Sequence, residues 1–267
     1  MRNIQIICAR IATALVFLCV WEIIARSSKT AFFFIASPSS IAVQFVELLF
    51  HDALWFHFLV TGAEAVGGLV IGTLAGSIVG LLLWYSLIVA RIARPFIVAI
   101  AAVPVFAFAP LMIVWFGIGF KMKVALAAFS TVFISLNQAY RGATLVSDEL
   151  VDVLRGMGAS RKDTFSKVIV PGSLVWVLSS MRLNTGFALL GAFIGEFIAA
   201  DKGLGYLVLR AGSLYDIPRA LAAALGLVIL AIGLDTVATL VETHRNFLAQ
   251  LLSVPRIARH RPGGTVR

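Results

Sequence analysis

The sequence predicts an all-α integral membrane protein with about six transmembrane helices. Of its 267 residues, 60% are hydrophobic and only 13% are charged, and the mean hydropathy is +0.99. These values are outside the usual range of soluble globular domains. The apolar residues also form six runs near the ~20 residues that a helix needs to cross the ~30 Å hydrocarbon layer. The predicted spans are residues 4–25, 59–84, 96–119, 124–140, 172–199 and 220–241.

The first span follows Arg2, as the apolar part of a secretory signal peptide would follow its basic start. Glu22 within the run, and the lack of a small-x-small cleavage site, favour a retained span instead. After this span, serines around Pro38 and the amphipathic run IAVQFVELLF predict a short helix on the outer surface.

The second and third spans contain residues that shape helices. Glycine at every fourth position of the second span forms one groove for a neighbouring backbone, so we expect helix packing there rather than ligand binding. Pro104 and Pro110 in the third span free backbone carbonyls and bend the axis, which fits either a pathway-lining helix or a simple kink. The four glycines are Gly68, Gly72, Gly76 and Gly80.

The fourth span is short and begins beside two lysines, Lys121 and Lys123, whose side chains can extend to the interface. Glu22, Glu64 and Glu242 lie near the ends of other spans, and we expect them at an interface as well.

The fifth span carries Arg182 and Glu196, which lie within about 40° of each other on a helical wheel but ~21 Å apart along the axis. They could line one face of a substrate pathway together with Pro104 and Pro110, with Arg182 attracting an anion. Helix packing or an interfacial position is the simpler explanation of both charges. One alternative for the whole chain is an ion-coupled secondary transporter, in which Glu196 and Asp235 would relay protons. The lack of an evident inverted repeat argues against this alternative.

The basic residues indicate the orientation of the chain. With the N-terminus inside, the cytoplasmic side holds 15 of the 22 lysines and arginines, which predicts cytoplasmic termini.

The chain has no phosphate-binding G-x-x-x-x-G-K-[ST] loop, no H-E-x-x-H, no G-x-S-x-G and no histidine or cysteine cluster with metal-ligand spacing. We therefore expect no catalytic residues, metal or cofactor in this chain. A simple membrane anchor would not need kinked, glycine-grooved spans.

Residues 152–171 form the longest polar passage of the chain, and they belong to a segment, residues 141–171, that is predicted to lie in the cytoplasm. Ser147 precedes a short helix that Gly158 ends, and Ser160 with Asp163 matches a capping box that starts a second helix to about residue 168. Pro171 suits the first turn of the fifth span. A structured connection of about thirty residues is long, which predicts that it docks into a partner.

Residues 141–171 resemble the cytoplasmic loop of ATP-binding-cassette (ABC) importer permeases, whose pattern is E-A-A, three residues, Gly, nine residues, Ile, one residue, Leu-Pro. Because that loop couples the permease to its ATPase, residues 141–171 are named the coupling segment. The spacing matches at every position, although both alanines are replaced by larger residues. The matching residues are Asp152, Val153, Leu154, Gly158, Val168, Val170 and Pro171.

Shorter stretches are similar to the nitrate, sulfonate and taurine branch of these permeases. They are WE at 21–22, APLMIVWFGIG at 109–119, MRL at 181–183, GEF at 195–197 and GLGYLV at 203–208. The resemblance implies a type I importer permease in a bacterial inner membrane. It also implies a second permease copy, a cytoplasmic ATPase dimer that uses the ATP, and an extracytoplasmic binding protein that delivers a small solute. An anion such as a sulfonate, taurine or nitrate is expected, while bicarbonate and a pyrimidine precursor stay open.

Overall fold

The computed structural model describes residues 2–51, 53–199 and 201–252, and every regular element within these ranges is helical. This confirms the predicted all-α class. The helices are α1 (Arg2–Arg26), α2 (Lys29–Ile35), α3 (Pro38–His51), α4 (Leu54–Leu82), α5 (Leu87–Ala101), α6 (Ala109–Phe116), α7 (Phe120–Thr144), α8 (Asp148–Gly156), α9 (Arg161–Thr164), α10 (Val170–Ile198), α11 (Leu204–Ser213) and α12 (Ile217–Leu252). Short 3₁₀ turns lie at Leu83–Tyr85 and Val105–Phe108, and a π-helical turn at Phe165–Ile169.

Five of these helices are long and apolar enough to cross a membrane, and a bent pair brings the number to six. The bent pair corrects the third predicted span, because α5 begins at Leu87 and meets the 3₁₀ turn and α6 at an angle of 91°. Pro104 precedes the 3₁₀ turn, and Pro110 lies in the first turn of α6, where a proline needs no hydrogen-bond acceptor. The two prolines thus flank a break rather than a kink.

The predicted fourth span is longer in the structure. It corresponds to α7, which has 25 residues and begins at Phe120, before both lysines that were expected to limit it. Its length of ~37 Å, at 1.5 Å per residue, is sufficient for a full crossing.

The centre of the bundle consists of α4, α7 and α10, which pack most extensively against one another. All four glycines of the second predicted span face α7, and a Cβ atom on any of them would overlap α7 atoms. Polar side chains also join the three helices, since the Asn184 amide donates to Ser135 Oγ at 2.6 Å and to Thr73 Oγ1 at 3.3 Å. Such small and polar contacts are typical of helix association within lipid.

The remaining helices surround this centre. The helix α12 packs against α3, α10 and α11, whereas α1 contacts α2 and α3 at the periphery. Glu22 of α1 accepts hydrogen bonds from the backbone N–H and the hydroxyl of Ser39, at 3.0 and 2.7 Å, and so ties α1 to the first turn of α3. Both α1 and α5 expose long apolar faces, which suit contact with lipid or another chain.

Candidate functional sites

The coupling segment contains α8 and α9, two short helices joined by a tight turn at Gly158. Gly158 has a φ of 83°, in the left-handed region that favours glycine, and no other atom lies near the position of a Cβ. Ser147 makes no side-chain capping hydrogen bond, whereas Ser160 Oγ accepts from the Asp163 N–H at 3.1 Å. The Asp163 carboxylate accepts from the Ser160 hydroxyl at 2.5 Å. In this capping box the Asp163 carboxylate therefore accepts from the Ser160 hydroxyl, rather than from the Ser160 backbone N–H.

The helix α8 presents an apolar surface outside the bundle. The side chains of Leu150, Val153 and Met157 are 56%, 60% and 79% exposed. Asp152 beside them is also exposed and pairs loosely with Arg155, at 3.6 Å. The acidic position of the motif is therefore accessible together with an apolar patch, as a docking surface requires.

The opposite side of the coupling segment is anchored to the bundle. Val151 and Ile169 are buried in a small cluster with Ala143. The Arg161 guanidinium donates to the Tyr85 carbonyl and lies 5.6 Å from the centre of the Trp84 ring, a cation–π distance. Beside this anchor, a cavity of about 580 Å³ is lined by acidic, basic and aromatic side chains, including Trp84, Tyr140, Asp148, Asp152, Arg155 and Arg161.

A continuous helical rod joins α9 to α10. The sequence predicts that the second helix ends near residue 168 and that the fifth span starts at 172, but helical structure runs unbroken from Arg161 to Ile198 over 38 residues. The π-helical turn widens the helix just before Pro171, whose missing N–H therefore causes no break. Val168 lies within this turn, and Val170 begins α10.

About 57 Å of helix is much longer than the ~30 Å hydrocarbon layer, so part of the rod extends beyond it. The charged residues Arg161, Lys162, Asp163 and Lys167 at its start indicate that this is the part outside the membrane. Asp163 in this outer part is exposed and pairs with Lys167 at 2.8 Å. Hydrogen bonds from Lys167 and Ser160 stabilise the carboxylate and lower the pKa of Asp163 to about 2. The first turn of the rod therefore keeps its ion pair throughout the neutral and mildly acidic range.

A buried ion cluster lies near the other end of the bundle. Lys123 Nζ is 2.9 Å from Glu64 Oε1, and both side chains are almost completely buried. Lys123 also donates to the Lys202 carbonyl at 3.4 Å, and Glu196 is the neighbouring acid. The predicted interfacial positions of Lys123 and Glu64 are therefore wrong. Their proximity to span ends indicated depth in the membrane, but not that the two helices carrying them pack together.

Glu196 holds the N-terminus of α11. Its Oε2 accepts from the Gly205 N–H at 2.6 Å, and its Oε1 accepts from the Thr61 hydroxyl at 2.6 Å. Thr61 Oγ1 accepts in turn from the Leu204 N–H at 2.8 Å, and His57 Nδ1 from the Gly203 N–H at 2.9 Å. Side chains from α4 and α10 thus satisfy the free N–H groups at this helix start.

Arg182 and Glu196 occupy different environments. Arg182 is half exposed and lies 3.5 Å from Asp235 and 3.7 Å from Glu242, both on α12. Glu196 is fully buried in the α11 anchor. The structure does not bring the two together, nor does it bring Glu196 to Asp235.

The break between α5 and α6 borders a cavity of about 410 Å³. Pro104 lines it together with Phe129, Ser130, Phe133 and Phe187 from α7 and α10, whereas Pro110 does not line it. Non-helical backbone within a membrane is tolerated where it is buried in protein or lines a water-filled cavity, and the break between α5 and α6 lies beside this cavity.

The chain matches the family model described as "binding-protein-dependent transport system inner membrane component" over residues 68–246. It is 32% identical to the taurine transport system permease protein TauC of Escherichia coli, with 76% of this chain and 75% of the relative covered. It is 30% identical to the formylaminopyrimidine transport permease protein ThiX of Halalkalibacterium halodurans, with 78% and 82% covered.

The fold is similar to that of a solved structure of the MetNI methionine ABC transporter in an inward-facing conformation. The TM-score is 0.64 at 17% identity, and the match covers 73% of this chain and 98% of that chain. These findings give no support to the ion-coupled alternative. The family model, the relatives and the type I importer fold agree, and the chain belongs to the permease subunits of binding-protein-dependent ABC importers, multi-pass membrane proteins whose ATP is hydrolysed by a separate subunit.

Proposed function

We propose that this permease carries a small anion of the sulfonate or taurine type across a bacterial inner membrane, with both of its termini in the cytoplasm. The similarity to a taurine permease supports this substrate class. A formylaminopyrimidine permease at nearly the same identity shows that related chains serve different solutes. The pathway runs past Pro104, beside the cavity at the break between α5 and α6.

Arg182 and Glu196 are weaker candidates for contact with substrate. Two carboxylates surround the single positive charge of Arg182, so this site does not attract an anion by net charge. Glu196 is buried and accepts hydrogen bonds from Thr61 of α4 and Gly205 of α11. The four glycines of the groove pack against α7. We assign structural roles to Arg182, Glu196 and the four glycines. Pro110 has the role of starting α6.

In the working complex, two copies of the permease pair, and each binds one subunit of a cytoplasmic ATPase dimer through its coupling segment. The exposed surface of α8, with Asp152 beside Val153 and Met157, carries this proposal, because it lies outside the bundle. ATP binds the partner, and this chain needs no cofactor. Closure of the ATPase dimer moves α8 and α9, and the rod that continues into α10 carries the motion to the pathway.

The test replaces Gly158 by valine. No neighbour blocks the new side chain, but a β-branched residue at a φ of 83° is strained by about 1–2 kcal/mol, which shifts the turn away from its native conformation. We expect ATP-driven uptake by proteoliposomes holding permease, ATPase and binding protein to fall about 5–30-fold. The amount of inserted permease should not change.

Gly156→Val is the matched control, because Gly156 also has open space around its Cβ position but ends α8 without a positive φ. It should retain most of the uptake. Equal uptake by both variants and the parent would contradict a coupling role for the turn at Gly158.

A further inference from the structure

Three arginines surround one cavity between α5 and α7. This arginine cavity has a volume of about 350 Å³ and is lined by Arg91, Arg94 and Arg141, with Asn137 and Tyr140 completing its polar side. Its volume falls within the ~300–1,000 Å³ of typical small-molecule sites.

The arginines of this cavity are not neutralised. Arg26, Arg155 and Arg182 each pair with an acid elsewhere. By contrast, none of the three cavity arginines has an acidic partner within ion-pair distance among the described residues. Guanidinium groups bind the oxygens of phosphate-type anions with two parallel hydrogen bonds. All three arginines are exposed, so an anion from outside the protein can reach them.

The surroundings of the cavity are those of a membrane interface. Apart from Thr144, its remaining lining is apolar, from Leu83, Leu87, Ala90, Ile97 and Leu136. The outer face of α5 exposes further large apolar side chains, including Ile88, Ile92 and Phe96. Since α5 packs only lightly on the rest of the bundle, acyl chains can lie along it while a headgroup reaches the arginines. Basic pockets between transmembrane helices are suited to anionic lipid headgroups.

We propose that the arginine cavity binds the phosphate of an anionic phospholipid. This inference requires only that the chain spans a membrane, and it does not depend on the proposed substrate or on ATPase docking. The cavity shares Leu83, Leu87, Tyr140 and Thr144 with the cavity beneath the coupling segment. A bound headgroup would therefore bridge α5 and α7 next to the cavity that α8 also lines.

The test is native mass spectrometry of the full chain released from nanodiscs of phosphatidylcholine mixed with phosphatidylglycerol. We expect the parent protein to retain phosphatidylglycerol in preference to phosphatidylcholine. R91Q/R94Q should bind it about 10–30-fold more weakly, from roughly a three- to fivefold factor for each charge removed. R91K/R94K keeps both charges and should lose less.

K121Q/R210Q is the matched control, because it removes the same net charge from α7 and α11, away from the cavity. It should retain phosphatidylglycerol like the parent. Equal retention by R91Q/R94Q, or an equal loss in K121Q/R210Q, would overturn the proposal. If R91Q/R94Q does not fold, R141Q alone gives the same test with a smaller expected loss.

A separate experiment distinguishes a lipid phosphate from a soluble anion. Excess inorganic phosphate is added to nanodiscs that contain phosphatidylglycerol, and also to nanodiscs of phosphatidylcholine alone. We expect phosphatidylglycerol to remain bound and no phosphate adduct to form. Displacement of the lipid by phosphate, with a phosphate adduct that R91Q/R94Q lacks, would overturn a lipid as the natural occupant.

Discussion

At the scale of single residues, the unusual feature is a lysine buried between two glutamates. The Lys123 ammonium lies 2.9 Å from Glu64, and neither oxygen of Glu64 accepts a hydrogen bond of regular geometry. Taking charged groups out of water is costly, so such a pair seldom adds much net stability. Removing only one member of the pair is nevertheless costly, because the charge that remains is buried without a partner.

Lys123→Met is therefore expected to destabilise the permease strongly. It leaves Glu64 and Glu196 buried without a cation, and breaking a buried pair in this way costs about 3–5 kcal/mol. The free energy of unfolding, measured by titration with a denaturing detergent, gives the size of the loss.

Lys121→Met serves as the control, because Lys121 lies two positions earlier on α7 with an exposed side chain. Its effect should be within about 0.5 kcal/mol of zero, as for most surface changes. The double variant K123M/E64M removes the pair together and should lose less than K123M alone. A K123M protein as stable as K121M would show that the ion pair has no structural importance.

The sequence could indicate which residues were unusual here, but not how they are arranged. Glu64, Lys123 and Glu196 were all recognised as charges near membrane spans. Their meeting depends on the contacts of α4, α7 and α10, which span lengths and hydropathy do not specify. One signal in the sequence was available: Glu64 lies four positions before Gly68, so it shares the helix face of the glycine groove and faces the same neighbouring helix.

At the scale of elements, the contact between α4 and α7 organises the bundle. A Cβ atom at Gly68 would overlap Ala127 Cβ, and those at Gly76 and Gly80 would overlap α7 backbone carbonyls. The two backbones are therefore as close as they can pack, which the four-residue spacing of glycine predicts in general terms.

Gly68→Ala should weaken this contact although it adds only one methyl group. The helices must separate locally, since Ala127 has no flexible end that could move away. Overpacking of this kind costs about 1–3 kcal/mol. Thermal unfolding in one detergent should show a lower midpoint for this variant.

Gly67→Ala is the control on the neighbouring residue. Its new methyl group would make an ordinary contact of 3.5 Å with Val124, and alanine also favours the helix by up to about 1 kcal/mol. Its midpoint should equal or exceed that of the parent. A lower midpoint for G67A than for G68A would contradict close packing as the role of the glycine groove.

The sequence indicates helices more reliably than it indicates where they break. Hydropathy detects apolar length, and so it finds α1, α4, α7, α10 and α12. The two prolines that flank the break between α5 and α6 were recognised, yet proline permits either a kink or a turn of 91°. The choice depends on which groups satisfy the freed carbonyls, and this is a tertiary property.

At the scale of the whole molecule, the rod from Arg161 to Ile198 joins the coupling segment to the centre of the bundle. One end is fixed at Tyr85 and Trp84 through Arg161, and the other at α11 through Glu196. A continuous helix bends little, so movement of α9 must displace α10 or be absorbed in the π-helical turn. The rod therefore connects the surface that binds the proposed ATPase to the helices around the cavity at Pro104.

Interrupting the rod should uncouple the ATPase from transport. Two glycines inserted between Lys167 and Val168 rotate the coupling segment by about 200° relative to α10 and soften the joint. If the proposed function holds, the partner ATPase should still bind and hydrolyse ATP. Solute taken up per ATP hydrolysed should fall about fivefold or more, within the range of typical allosteric coupling.

The control is the same insertion after Leu145, in the turn before α8. It lengthens a connection that is not helical and should be tolerated far better. Equal transport efficiency in the two insertion variants would mean that the motion reaches the bundle through the Val151 and Ile169 cluster instead.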